Sequence, residues 1–423
     1  MSFNPFNEKP EKNLNSLYMD WGKIYPNSYD KYDVDPYTKV RCILMNGTEF
    51  EANWFSHQFS RHCNNNEVRR QLSEVRRMEQ QQQKRIACLK PINESVLETT
   101  ISYEQLAVDL TAILAQREKN QYVKRALDFA LLEDFDHLYR YADLLDMEHG
   151  IHAERLVGSY TEIMPGRPTI SEHRHPVDDI KRFTDFKTAD AITKLNVSII
   201  VAAEQQTMNY YMNQAGFYLS DVGRELYQEI GMIEEQHVSQ YESLMDVNES
   251  WYECWLNHEY TECYLYYSCW KTETNPYIKK IWEQHLIAEI AHLHKAAEVL
   301  KNVEKKDWQQ VIPVGNFPEI LDFAPQKEYI RNILETTVTQ TATLEDFVEI
   351  NSLSDNSNFY SYQNQIIQNV DSVPSHEVID KYINEYGMDY RYEETPSPRA
   401  ELRNRKTDNT TLGRVKEHAS VRK

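Results

Sequence analysis

The chain has 423 residues, 41% of them hydrophobic and 26% charged, with a formal net charge of −20. That length holds one large domain with extensions, or two. The acidic balance argues against non-specific binding to nucleic acid or to an anionic membrane surface. With 11 glycines and long helix-forming runs, the expected fold is all-α. The longest apolar run, residues 197–203, is far too short to span a bilayer. Met1 to Lys12 has no apolar core and does not read as a signal peptide. Six cysteines, none in a Cys-x-x-Cys pair, read as the reduced thiols of a cytoplasmic protein.

Residues 1–93 are expected to form an N-terminal extension. Its first 40 residues are rich in Asn, Tyr, Asp and Pro and read as irregular chain, held down through Trp21, Tyr25 and Tyr29. Residues 49–62 suggest a short helix, with His57 and His62 in surface packing roles. Asn66 to Leu89 reads as a long polar helix with Val68, Leu72, Val75, Met78 and Ile86 on its apolar side, ended by Pro91.

A second block, residues 94–247, predicts two helical hairpins, at about 94–117 with 122–147 and about 188–213 with 221–245. Ser220 or Asp221 would cap the last helix. The connection over 148–187 holds Gly150, Gly158, Pro165, Gly166, Pro168 and Pro176, so it is not one helix; its His149, His152, His173 and His175 read as a polar surface. Residues 248–310 predict an additional hairpin, at about 251–270 and 276–304, with Asn275-Pro276 as cap and first turn. A C-terminal extension over 311–392 shows helices near 326–335 and 375–386, the latter capped by Ser375. Residues 393–423 are nearly devoid of apolar side chains and read as a disordered, mildly basic tail.

One pattern in the second block is written twice. Glu104 precedes Asp134 by thirty residues, His137 follows three later, and Tyr141 four after that; Glu204, Glu234, His237 and Tyr241 repeat the spacing. Residues three and four apart share a helix face, so Asp134, His137 and Tyr141 line one stripe, as do Glu234, His237 and Tyr241. Glu104 shares its stripe with Leu97, Ile101 and Val108, and Glu204 with Val197, Ile200, Val201 and Met208. These faces should be buried, where a charge is costly unless paired or bound to metal. In each hairpin both carboxylates lie roughly 21–23 Å from the turn at helical rise, hence at one level. A single Glu-x-x-His is weak evidence; the recurrence of the whole pattern carries the reading.

These residues resemble the ferritin-like superfamily of di-iron and di-manganese carboxylate proteins, over roughly residues 94–247. The resemblance implies a four-helix bundle of two hairpins joined by a long crossover, with additional helices and irregular terminal segments outside it. It implies Glu104, Asp134, His137, Glu204, Glu234 and His237 as metal ligands, with Asp134 and Glu234 as the bridging pair. The family normally has Glu where this chain has Asp134, which is one methylene shorter; the adjacent Glu133 points about 100° away on a helix. The spacing of Tyr141 is similar to that of the radical-carrying Tyr in small subunits of ribonucleotide reductase, so Tyr141 and Tyr241 are the candidate redox or hydrogen-bonding residues. The lack of Cys-x-x-Cys pairs separates the chain from rubrerythrins with their rubredoxin-type centre.

Oxygen-and-nitrogen donor sets suit iron or manganese over zinc or copper. The implied function is an oxidoreductase with two iron ions per chain, or manganese with iron, acting on O₂ or peroxide; a small-molecule substrate and a second copy of the chain are the other candidate partners. The alternatives are an iron-binding, ferroxidase-like protein and a scaffold whose metal site is vestigial. A weaker echo follows at an offset of 55 residues, with Glu259, Glu289 and His292. Here the link from the preceding hairpin is too short for a crossover, so Glu289, His292 and His294 are expected in packing or surface roles.

Overall fold

A computed structural model describes residues 3–11, 13–403, 406 and 407. The fold is all-α: among the described residues there are thirteen α-helices and one two-stranded antiparallel hairpin. No described helix is long and apolar enough to cross a membrane, and the six cysteines are free thiols. The chain divides into two compact units, each assembled from three stretches of sequence.

The first unit comprises residues 1–94, 184–206 and 245–323. After a short helix α1 (Trp21–Ile24) come α2 (Pro36–His62) and α3 (Asn66–Ala87), then α9 (Trp251–Thr272) and α10 (Pro276–Glu304). The α2–α3 hairpin packs against the α9–α10 hairpin. Helix α2 is far longer than the segment expected over 49–62. Asp35 caps it through the Tyr37 amide, Pro36 occupies its first turn, and Val40, Leu44 and Met45 are buried ahead of residue 49. The extension is pinned less than expected, because Tyr29 is buried while Trp21 and Tyr25 are exposed. Residues 248–310 do form a hairpin, and they belong with α2 and α3 in this unit.

The second unit comprises residues 95–183, 207–244 and 324–423. Its frame is the hairpin α4 (Val96–Arg117) and α5 (Gln121–His149), with α8 (Asp221–Glu242) against α5. Helix α7 (Ala191–Phe217) passes from the first unit into the second after Gln206. The connection between α5 and α7 contains one short helix, α6 (Thr169–Glu172), and otherwise irregular chain. The remaining helices are α11 (Lys327–Thr337), α12 (Asn358–Ile366) and α13 (Pro374–Tyr386); α11 packs on α5, and α13 on α5 and α8. Ser375 does not cap α13, because Pro374 takes the first turn after Val373. The hairpin β1 (Gln340–Thr343) and β2 (Asp346–Glu349) was not anticipated.

The segment expected to be disordered is ordered over 393–403. Leu402 is buried and Arg331 binds the Thr395 and Pro396 carbonyls, so a few specific contacts replace the missing apolar run. Most of the rest of that tail lies outside the described residues.

Candidate metal centre

Helix starts fix the level of each candidate ligand. Ser95 opens α4 with a capping box closed by Glu98, and Asn120 caps α5 through the Tyr122 and Val123 amides. Ser220 caps α8 through the Gly223 amide. These caps satisfy amides left over at a helix start and set the register that turns Glu104, Asp134, His137, Glu234 and His237 inward. All five are buried, with exposures at or near zero.

Within this unit the five meet in two overlapping groups that share Glu234. Glu104, His137 and Glu234 each present a ligand atom within 4.8 Å of the others, and so do Asp134, Glu234 and His237. His137 Nδ1 lies 3.0 Å from Glu234 Oε1, and His237 Nδ1 lies 3.1 Å from Asp134 Oδ1 and 3.4 Å from Glu234 Oε2. The sixth expected ligand, Glu204, is buried on α7, the helix both units share, two turns before Tyr211.

Both imidazoles turn Nδ1 toward these carboxylates and Nε2 outward onto another acid. His137 Nε2 faces Glu172 Oε2 at 3.4 Å, and His237 Nε2 is hydrogen-bonded to Glu133 Oε2 at 2.7 Å. An outer carboxylate on the far ring nitrogen fixes tautomer and ring orientation in metal sites and raises the basicity of the inner nitrogen. Glu133 does point away from Asp134 on α5, as its position predicts, but it points at the back of His237. Neither Glu133 nor Glu172 was foreseen in this role; Glu172 comes from α6 in the crossover, which periodicity could not place.

Glu133 is itself held by two buried guanidiniums from the crossover: Arg174 binds it closely, and Arg167 Nη1 lies 3.2 Å from its Oε1. Burial alone would raise its carboxyl, but Arg174, His237 and Arg167 outweigh that and hold it well below the usual range. The crossover reaches this depth at Gly166, whose amide donates to Asp136 Oδ1 at 2.9 Å. A Cβ there would sit 2.5 Å from the Leu132 carbonyl oxygen, which backbone cannot avoid cheaply. Gly166→Ala is therefore expected to cost about 1–3 kcal/mol, read as a lower urea midpoint.

The inner acids show a shortage of positive charge. Burial pushes the Glu104 and Asp134 carboxyls up. Burial also acts on Glu234, but hydrogen bonds with His137 and His237 hold it down to about 2. His137 is raised well above its ordinary value; burial opposes this, and Glu172 and Glu234 overcome it. Glu104 Oε2 and Asp134 Oδ2 are buried without a hydrogen-bond donor, which is costly unless a cation supplies the missing interaction.

Tyrosines cluster on the Glu104 side. Tyr211 donates to Glu104 Oε1 at 2.5 Å. Tyr141 is fully buried, its ring 5.3 Å from that of Tyr211 and 4.9 Å from that of Tyr227, and its hydroxyl has no hydrogen-bond partner. Tyr241 is also buried, with its ring 6.5 Å from the His237 ring. Tyr211 was noted at sequence level only as part of the Glu204 stripe. The crossover histidines stay outside these groups: His149 and His152 are exposed, and His173 binds Glu229 at 3.0 Å.

No family model, curated protein or solved structure matches this chain.

Proposed function

We propose that the second unit is a ferritin-like di-metal carboxylate centre with oxidoreductase activity toward O₂ or peroxide. The observation that supports it most directly is the pair of imidazoles sharing Glu234, each backed by an acid on its outer nitrogen. Glu104, Asp134, His137, Glu234 and His237 would hold the ions, and Glu204 completes the set in the repeated sequence pattern. The donor chemistry suits two irons, or manganese with iron. Such a pair supplies the electrons for reducing O₂ or peroxide, while the protein supplies geometry, charge and exclusion of water.

The chain's own contributions follow from its contacts. Glu133 and Glu172 orient His237 and His137. Arg167 and Arg174 lock Glu133, so the His237 ring cannot turn freely. The hydrogen bond from Tyr211 holds the Glu104 carboxylate in one orientation. Burial of the whole cluster keeps bulk water from the acids.

The test is metal content and oxygen reactivity of the full chain. Substituting Glu234→Ala together with His237→Ala is expected to remove two equivalents of iron per chain. It is also expected to abolish an O₂-dependent near-ultraviolet band that appears in the unsubstituted protein after Fe(II) addition. Ferric iron accumulating far beyond stoichiometry would favour a ferroxidase-like store. No metal difference between the two proteins would leave a scaffold with a vestigial site.

A further inference from the structure

The first unit contains a second cluster of buried acids around an imidazole. Glu79 comes from α3, Glu259 from α9, and Glu289 and His292 from α10, and all four are buried. Their ligand atoms lie within 4.8 Å of one another. His292 Nδ1 is the common neighbour, 3.0 Å from Glu289 Oε2, 3.8 Å from Glu259 Oε2 and 3.9 Å from Glu79 Oε1. The expectation that Glu289 and His292 serve as packing or surface residues is thereby corrected. Only His294 fits it, half-buried against the Pro5 carbonyl.

We infer that the first unit binds one divalent cation, iron(II) or manganese(II), through Glu79, Glu259, Glu289 and His292. This goes beyond the function proposed for the second unit and does not depend on it.

Three observations carry the inference. First, the acids are short of partners. Glu259 Oε2, which faces His292, has no hydrogen-bond donor, and neither does the nearby Glu49 Oε2. Among the described residues no lysine or arginine forms an ion pair with Glu49, Glu79, Glu259, Glu262 or Glu289. So many acids cannot all ionise in one dry interior without a cation. Burial, followed by the neighbouring acids, raises the Glu49, Glu259 and Glu262 carboxyls well above their ordinary value, and Glu79 reaches about 7.

Second, the cluster repeats the contacts of the other unit at a constant sequence offset. Glu49, Glu79, Gln82, Glu259, Tyr266, Glu289 and His292 each lie 55 residues from Glu104, Asp134, His137, Glu204, Tyr211, Glu234 and His237. Tyr211 donates to Glu104, and Tyr266 donates to Glu49. His137 meets Glu234 Oε1 at 3.0 Å, and Gln82 donates its amide to Glu289 Oε1 at 2.6 Å.

Third, the one altered position sets the stoichiometry. Gln82 stands where the second imidazole would be and spends its amide N–H on the acid. One half of the duplicated arrangement therefore lacks its nitrogen donor, and the half built on His292 keeps three carboxylates and one imidazole. That donor set favours iron or manganese.

The test uses the full chain, stripped with chelator, reloaded anaerobically with Mn(II) or Fe(II), and desalted before elemental analysis. His292→Ala is expected to lower metal content by one equivalent, and Glu234→Ala/His237→Ala by two, so failure of either site is seen separately. With Mn(II), the Glu234→Ala/His237→Ala protein should retain the paramagnetic resonance of a single isolated ion, and adding His292→Ala should remove it. Glu79→Gln, which preserves volume, is measured alongside in case His292→Ala fails to fold, with far-ultraviolet dichroism as the folding check. Loss of one equivalent in a folded variant supports the site. Folded Glu79→Gln or His292→Ala protein with unchanged metal content and an unchanged signal overturns it.

Discussion

Glu133→Ala is expected to cost about 3–5 kcal/mol, the usual result of removing one partner from a buried ion pair. The reason is what remains behind. Arg167 and Arg174 are fully buried; Arg174 keeps Asp179 at 3.0 Å, whereas the acid Arg167 pairs with is Glu133. For a unit of this size, roughly 2–4 °C is lost per kcal/mol, so the melting temperature should fall by about 10 °C. Glu133→Gln should be destabilised as well, because an amide can still accept from His237 but cannot neutralise two guanidiniums. The pH dependence has a definite sign. The unfolded chain protonates this carboxyl near its ordinary value of about 4.3, while the folded protein does so only at much lower pH. The stabilisation is therefore complete above about pH 5 and is lost as pH falls below that. Urea titrations at pH 7 and pH 4 should show a gap between native and Glu133→Gln proteins that narrows in acid; a constant gap would count against the ion pair. Metal affinity should also drop, by about 10–100-fold, because the ring of His237 loses its outer partner.

Loading the stripped protein with Fe(II) or Mn(II) is expected to have an effect of similar size and opposite sign. A ligand at a thousand times its dissociation constant stabilises the folded state by about 4 kcal/mol per site. Each ion should thus raise the melting temperature of its unit by roughly 10 °C. Calorimetry of the Glu234→Ala/His237→Ala and His292→Ala proteins separates the two contributions. Magnesium at the same concentration should do much less, since it favours oxygen ligands and gives up its waters reluctantly. Equal stabilisation by magnesium would mean that acidic charge is being screened and no built site is filled.

Much of the second unit was legible because helix periodicity converts spacing into position. Thirty residues across a hairpin and three along a helix were enough to bring Glu104, Asp134, His137, Glu234 and His237 inward. The copy in α2 and α3 escaped because Gln82 breaks the Glu-x-x-His signature and because α2 was read as starting near residue 49, which hid Glu49 in its middle. Glu259, Glu289 and His292 were seen but placed outside any site, since their partner Glu79 was not recognised. Glu133, Glu172, Arg167 and Arg174 were invisible for another reason: three of the four come from, or are fixed by, an irregular crossover whose path no local pattern encodes. The β1–β2 hairpin and the ordered 393–403 segment depend on similar tertiary contacts, such as those of Arg331.

The two neighbouring phenols, Tyr141 and Tyr211, differ in one respect with consequences for electron transfer. A phenol yields an electron at modest potential only when its proton can depart in the same event. The Tyr141 hydroxyl faces no acceptor, so oxidation there would strand a proton in hydrocarbon. The Tyr211 hydroxyl already points its proton at Glu104. Sequence spacing singles out Tyr141, but the wiring of the protein makes Tyr211 the easier place for an oxidising equivalent to rest, with Tyr141 as its insulating neighbour.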